Sequence, residues 1–195
     1  MLIKSANSQE DIIKYFRFVK KGLKISPNHP RNSDFYIKQF LVASDLLLAA
    51  YIENRLIGVI LGTLETNKVL IGEFYITPKY RKQGMGSQML KKIENNTLKH
   101  GIHRIYLGAK QEVEGFYIKN NYSSTLFVQF YGNDSKEKMK SLIEQYSNYS
   151  IIWKQDNPND SKVVFQTKGL DKEIVSSIKK NYPEANTTYL FTKDL

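Results

Sequence analysis

The chain has 195 residues, with 29 Lys+Arg against 19 Asp+Glu, a formal net charge of +10 and no cysteine. That length holds one good-sized core, or a main domain with a small second unit, and the lack of cysteine removes a disulfide frame, a thiolate nucleophile and a thiolate zinc site. The longest apolar runs, 46–52 and 56–61, fall far short of the roughly 20 residues that cross a bilayer as a helix, and the start turns polar at Lys4-Ser5 with no secretory apolar stretch, so a soluble, cytoplasmic protein with no membrane partner is expected.

Ser8 stands before Glu10 and Asp11 and before apolar residues at Ile12, Phe16, Val19 and Leu23. This is helical spacing behind a good N-cap, and the helix should end near 22–24. Pro27 and Pro30 make 25–31 a loop, and 33–42 can form a second short helix. The runs 46–52, 56–64 and 69–76, joined by Glu53-Asn54-Arg55 and Thr66-Asn67-Lys68, read as three strands of a meander. Pro78 stops the third strand, and a glycine loop leads into a helix over 87–100 with Met89, Leu90, Ile93 and Leu98 on its buried side and Gly101 past its end. A strand at 103–107, a helix at 112–119 and a strand at 125–131 follow. The order predicts an α/β fold whose mixed, mostly antiparallel sheet contains one strand-helix-strand crossover and is flanked by helices.

Past Gly132-Asn133-Asp134 the pattern restarts. A helix is expected at 136–146, strands at 149–153 and 163–167 around Asn157-Pro158-Asn159-Asp160, a helix at 172–181 and a strand at 188–191. The expected organisation is a main domain over 1–131 and a small αββαβ extension, itself α+β, over 132–195. The extension could complete the main sheet, form a lobe over an acceptor cleft, or supply a homodimer surface.

The basic excess asks for an anionic partner, and its position narrows the choice. Residues 1–131 hold 19 Lys+Arg against 10 Asp+Glu, and Lys79, Arg81, Lys82, Lys91 and Lys92 fall in a stretch with no acid, on and just after the glycine loop. There Arg81-x-x-Gly84-x-Gly86 lies between a strand and a helix, where the N–H groups of the helix start converge on an anion. A dinucleotide loop needs a third glycine where Met89 stands, and a Walker loop needs Gly-Lys-Ser/Thr, which is absent.

The segment Glu73-Phe74-Tyr75-Ile76-Thr77-Pro78-Lys79-Tyr80-Arg81-Lys82-Gln83-Gly84-Met85-Gly86-Ser87 resembles the acetyl-CoA loop of the GNAT superfamily of N-acetyltransferases: an apolar strand, a Pro, an aromatic-Arg pair, then Arg/Gln-x-x-Gly-x-Gly/Ala and a helix. A second stretch, Phe116-Tyr117-Ile118-Lys119-Asn120-Asn121-Tyr122, is similar to the family's Phe-Tyr helix with its following turn and aromatic. The resemblance covers about 1–131. Two positions depart from it: Lys110-Gln111 where the family often has Asn, and Asn121 where it usually has Gly, a residue that also tolerates the left-handed conformation.

The resemblance implies acetyl transfer from acetyl-CoA to a primary amine on a small molecule or peptide, by direct attack with no acyl-enzyme. It implies that backbone groups of Tyr75, Ile76 and Thr77 hold the pantetheine arm, with the Ile76 N–H as oxyanion donor. It further implies that Arg81, Lys82, Gln83, Gly84, Met85, Gly86 and Ser87 hold the phosphates, and that Tyr117 is the general acid returning a proton to the thiolate. Glu73, an acid inside an apolar strand, is the candidate base acting through water, or else a residue of the strand's exposed face. No histidine pair has metal-ligand spacing, so no metal is expected. A non-catalytic acetyl-CoA sensor is the alternative function, and nucleic acid is disfavoured because the basic cluster coincides with the loop.

Overall fold

Side chains take backbone N–H groups where the first two helices begin. Ser8 Oγ accepts from the Asp11 N–H at 3.1 Å ahead of α1 (Gln9–Leu23), and Asn32 Oδ1 accepts from the Phe35 N–H at 2.9 Å ahead of α2 (Ser33–Ala43). The computed structural model describes residues 1–195 and divides them into two units, Met1–Leu107 with Asp194–Leu195, and Gly108–Lys193.

In the first unit β1 (Leu2–Ser5), β2 (Leu47–Ile52), β3 (Arg55–Leu64), β4 (Val69–Ile76) and β5 (Arg104–Ala109) lie in the order β1-β2-β3-β4-β5. All pairs are antiparallel except β4 with β5, which are parallel and joined by α3 (Met85–Lys99). The tight β2–β3 connection puts Glu53 and Asn54 at positive φ, as a two-residue hairpin turn demands. Ile12, Tyr15, Phe16 and Val19 of α1 and Tyr36 of α2 form one core with Leu47, Ala49, Val59 and Leu61. Met89, Leu90 and Ile93 of α3 are buried as expected, whereas Leu98 is exposed and Thr97 is buried instead, its Oγ1 donating to the Ile93 carbonyl at 2.9 Å.

The second unit holds α4 (Glu114–Lys119), β6 (Ser123–Tyr131), α5 (Ser135–Gln145), β7 (Ile151–Asn157), β8 (Asp160–Gln166), α6 (Lys172–Asn181) and β9 (Asn186–Asp194). Its strands lie in the order β9-β6-β8-β7, antiparallel throughout. The residues beyond 131 thus form the helix, two strands, helix and strand expected of them, and α4 and β6 belong to the same unit. Leu126, Val128, Phe130, Leu142, Phe165, Ile178 and Phe191 build its core. Asp171 caps α6 by accepting from the Ile174 N–H at 3.1 Å. The fold is α/β with mixed, mostly antiparallel strands flanked by helices, and no helix is long and apolar enough to cross a membrane.

Candidate active site

β4 carries one residue more than the β3 segment opposite it. Leu61 pairs with Glu73 and Gly62 with Ile71, which leaves Gly72 as a bulge. The extra residue turns Glu73 and Tyr75 onto the face covered by α1 and α2, opposite Leu61 and Val59 of that core. Any side chain at the bulge would push Tyr36 and Arg31 aside, because a Cβ there would stand 2.4 Å from the Tyr36 hydroxyl and 2.9 Å from Arg31 Nε.

Glu73 is therefore 3 % exposed and lies inside the unit, not on an open strand face. Arg31 Nε donates to its Oε1 at 3.2 Å and His29 Nδ1 lies 4.0 Å from the same oxygen, while Oε2 is buried with no hydrogen-bond partner. Burial raises the carboxyl pKa above its ordinary value, and the Arg31 guanidinium, then His29, draw it back. A carboxylate held this way, half paired and half unpaired, can accept a proton. Arg31, His29 and Tyr36 had no motif to mark them; Arg31 and Glu73 are 42 residues apart, and only the bulge joins them.

The end of β4 leaves an open edge. The Thr77 N–H donates to the Ile57 carbonyl at 2.9 Å, so alternation turns the amide of Ile76 to the side away from β3. On that side β5 pairs with β4 only at Val69 and Leu70. The Ile76 carbonyl accepts from Arg81 Nε at 2.8 Å, and the guanidinium lies 5.3 Å from the centre of the Tyr75 ring. Arg81 thereby ties the glycine loop back to the strand.

Within the loop a 3-10 turn spans Pro78–Tyr80, Gln83 Nε2 donates to the Lys79 carbonyl at 3.0 Å, and exposed Lys82 takes a left-handed φ of 60°. Gly84 follows at φ 76° with open space where a Cβ would stand. α3 then begins with no side-chain cap and no acid in its first turn, so the N–H groups of Met85, Gly86 and Ser87 are left to an acceptor from outside the helix. This start fits a phosphate-bearing substrate: donors converge, glycine keeps the approach clear, and the adjacent charges are Arg81 and Lys82.

The first unit thus brings together Glu73, Tyr75, Ile76, Thr77 and the residues from Arg81 to Ser87. Tyr117 belongs to the second unit, where it is 6 % exposed and packs against Phe116, Tyr122 and Phe191 at centroid distances of 5.1, 5.8 and 5.2 Å. Burial raises its phenol pKa, which keeps the group protonated. Asn121 takes a left-handed φ of 63° after α4, the conformation expected of it.

The model of the Acetyltransferase (GNAT) family matches residues 14–121, more than half of the chain. Among solved structures, a Pyrococcus horikoshii protein assigned as an acetyltransferase aligns at TM-score 0.54 with 12 % identity, covering 100 % of this chain and 89 % of that one. The diaminobutyrate acetyltransferase EctA of Paenibacillus lautus, solved with L-2,4-diaminobutyric acid and coenzyme A, aligns at 0.50 with 14 % identity over 87 % and 96 % of the two chains. An aminoglycoside acetyltransferase from an uncultured soil metagenomic sample gives 0.50 and 14 % over 61 % and 86 %. At these identities the likeness is one of fold. No curated protein sequence matches the chain.

Proposed function

Because the chain belongs to the GNAT family of acetyltransferases, we propose that it transfers an acetyl group from acetyl-CoA to a primary amine by direct attack in a ternary complex. The carrying observation is the open edge of β4 at Ile76 followed at once by the uncapped, acid-free start of α3. One end of an extended substrate arm can bond to the strand edge while its phosphates meet the helix amides.

When bound, acetyl-CoA supplies an activated thioester carbonyl. The chain's own groups do the rest. Glu73 takes a proton from the incoming ammonium, directly or through a water, so that a neutral amine with a free lone pair reaches the carbonyl carbon. The Ile76 N–H faces the side where the oxyanion develops. The C–N bond forms and the C–S bond breaks; the protonated phenol of Tyr117, the general acid that the family resemblance implies, gives its proton to the departing thiolate, and the second proton shed by the acylated nitrogen restores the phenol through water. Lys82 and Arg81 add positive charge beside the helix amides that hold the phosphates.

The test has two arms. Native mass spectrometry should find coenzyme A bound with one molecule per chain, and a thiol-release assay over an amine panel should find turnover. Binding with no thiol released on any amine would replace the enzyme with a sensor of acetyl-CoA.

A further inference from the structure

Six buried side-chain oxygens in the whole chain lack a hydrogen-bond partner, and four of them sit on α2, β3 and β4: the Tyr36 hydroxyl, Gln39 Oε1, Thr63 Oγ1 and Glu73 Oε2. Such an atom costs on the order of 1–3 kcal/mol when nothing pairs with it, so four on these three elements call for polar partners from outside the protein, ordered water or a polar guest that displaces it. The topology puts them on one face. Thr63 lies two residues from Leu61 on β3, hence on the α1–α2 side, and Glu73 is the residue opposite Leu61. The Tyr36 hydroxyl lies at the Gly72 bulge beside Arg31 Nε, and Gln39 is one helical turn further along α2.

We propose that this cluster is the amine-acceptor site and that it selects a small amino acid, an amine carrying its own carboxylate; the inference rests on the acetyl-transfer reading above. The inner part is suited to an ammonium group. Glu73 Oε2 and Gln39 Oε1 only accept, and the Tyr36 and Thr63 hydroxyls accept as readily as they donate, which matches the three N–H donors of a protonated amine. The outer part is suited to a carboxylate. Arg31 Nε is spent on Glu73 Oε1, and no other side-chain atom of Arg31 has a hydrogen bond within the protein. Its side chain is 29 % exposed while that of Glu73 is 2 % exposed, so the guanidinium reaches from the buried acid to the surface with its terminal N–H groups unused. A planar fork of this kind takes a carboxylate through two parallel hydrogen bonds. Because Arg31 and Glu73 are in contact, the two halves of the guest must be a few bonds apart. That is the layout of an amino acid and not of a long polyamine.

Isothermal titration calorimetry on the full chain loaded with coenzyme A tests this with α-, β- and γ-amino acids, each beside its own amide. At least one acid should bind about tenfold or more tightly than its amide, the worth of one charge-assisted pair. Arg31→Gln should bring that ratio close to one while leaving coenzyme A affinity unchanged, and Arg31→Lys should keep part of it. A purely structural arginine would weaken acid and amide alike. Tyr36→Phe supplies a second readout: its hydroxyl has no partner in the protein, so the melting temperature should hold or rise while amino-acid affinity falls severalfold. Amides binding as well as acids, no amino acid binding at all, or an Arg31→Gln variant that keeps its ratio would each overturn the proposal. Thiol release with uncharged amines in any of those cases would leave acetyl transfer standing; absence of thiol release from every amine would remove the reading beneath it.

Discussion

Glu73 is pulled in two directions, and the pull gives it a measurable signature. Burial raises its pKa, with Arg31 and then His29 opposing the rise. If Glu73 is the base, kcat/KM climbs with pH through that raised pKa, and Glu73→Gln should erase this acid limb and lower kcat by about 10²–10⁴-fold, the range of a lost proton-transfer group. Arg31→Gln should move the limb to higher pH, because the charge that holds the pKa down is gone. The stability linkage has a definite sign. A carboxyl whose pKa is raised on folding stabilises the fold most below its unfolded pKa and loses that contribution as pH rises through the folded one. The melting temperature of Glu73→Gln relative to the parent should therefore become more favourable from pH 4 to pH 8, and a difference that shrinks with pH would contradict the raised pKa. Tyr117→Phe makes a contrasting case. The ring packs against Phe116, Tyr122 and Phe191 and would keep that packing, so kcat should fall about 10²-fold or more with KM for acetyl-CoA unchanged.

The elements that were legible in the sequence are those with a local cause, and the two cap substitutions test that cause. Asn32→Ala removes the acceptor for the Phe35 N–H and should cost about 1 kcal/mol by denaturant unfolding. Because the same helix carries Tyr36 and Gln39, it should also weaken acceptor binding. Gly84→Ala meets open space but a left-handed φ, so about 1 kcal/mol is expected from backbone conformation alone, together with a raised KM for acetyl-CoA. Ser8, the paired turn residues Glu53-Asn54 and the glycine loop each announce their element within four or five residues. β1 has four residues, too few for alternation to register, and β7 exposes all seven of its residues, so it is held by pairing with β8 and not by any buried pattern. The bulge at Gly72 was unreadable for a different reason. A glycine inside an apolar run fits a flat strand, a bulge or a close approach equally well, and what decides is Tyr36 and Arg31, brought there by α2 and the proline loop before it. Glu73 was legible as an oddity, an acid in an apolar strand, but its partner was not.

For the molecule as a whole, the charge asymmetry has a kinetic consequence. The formal net charge is +10, and the excess lies in residues 1–131, with Lys82 and Arg81 exposed at the uncapped start of α3. A substrate that carries several phosphates is drawn toward such a region before any contact forms, and the pull acts over a distance set by salt, about 10 Å at 0.1 M and about 3 Å at 1 M. Two effects can be separated. Contacts at the helix amides come from fixed dipoles at short range and are weakly screened, whereas the long-range attraction of surface lysines is strongly screened. The association rate of acetyl-CoA, followed by stopped-flow, should therefore fall severalfold between roughly 0.02 and 0.5 M NaCl while the dissociation rate changes little. Lys82→Gln combined with Lys91→Gln should flatten that salt slope and leave the high-salt affinity close to that of the parent. A slope that survives the double substitution would place the attraction elsewhere on the basic surface, and a dissociation rate that carries the salt effect would mean that these lysines hold the phosphates directly rather than gather them.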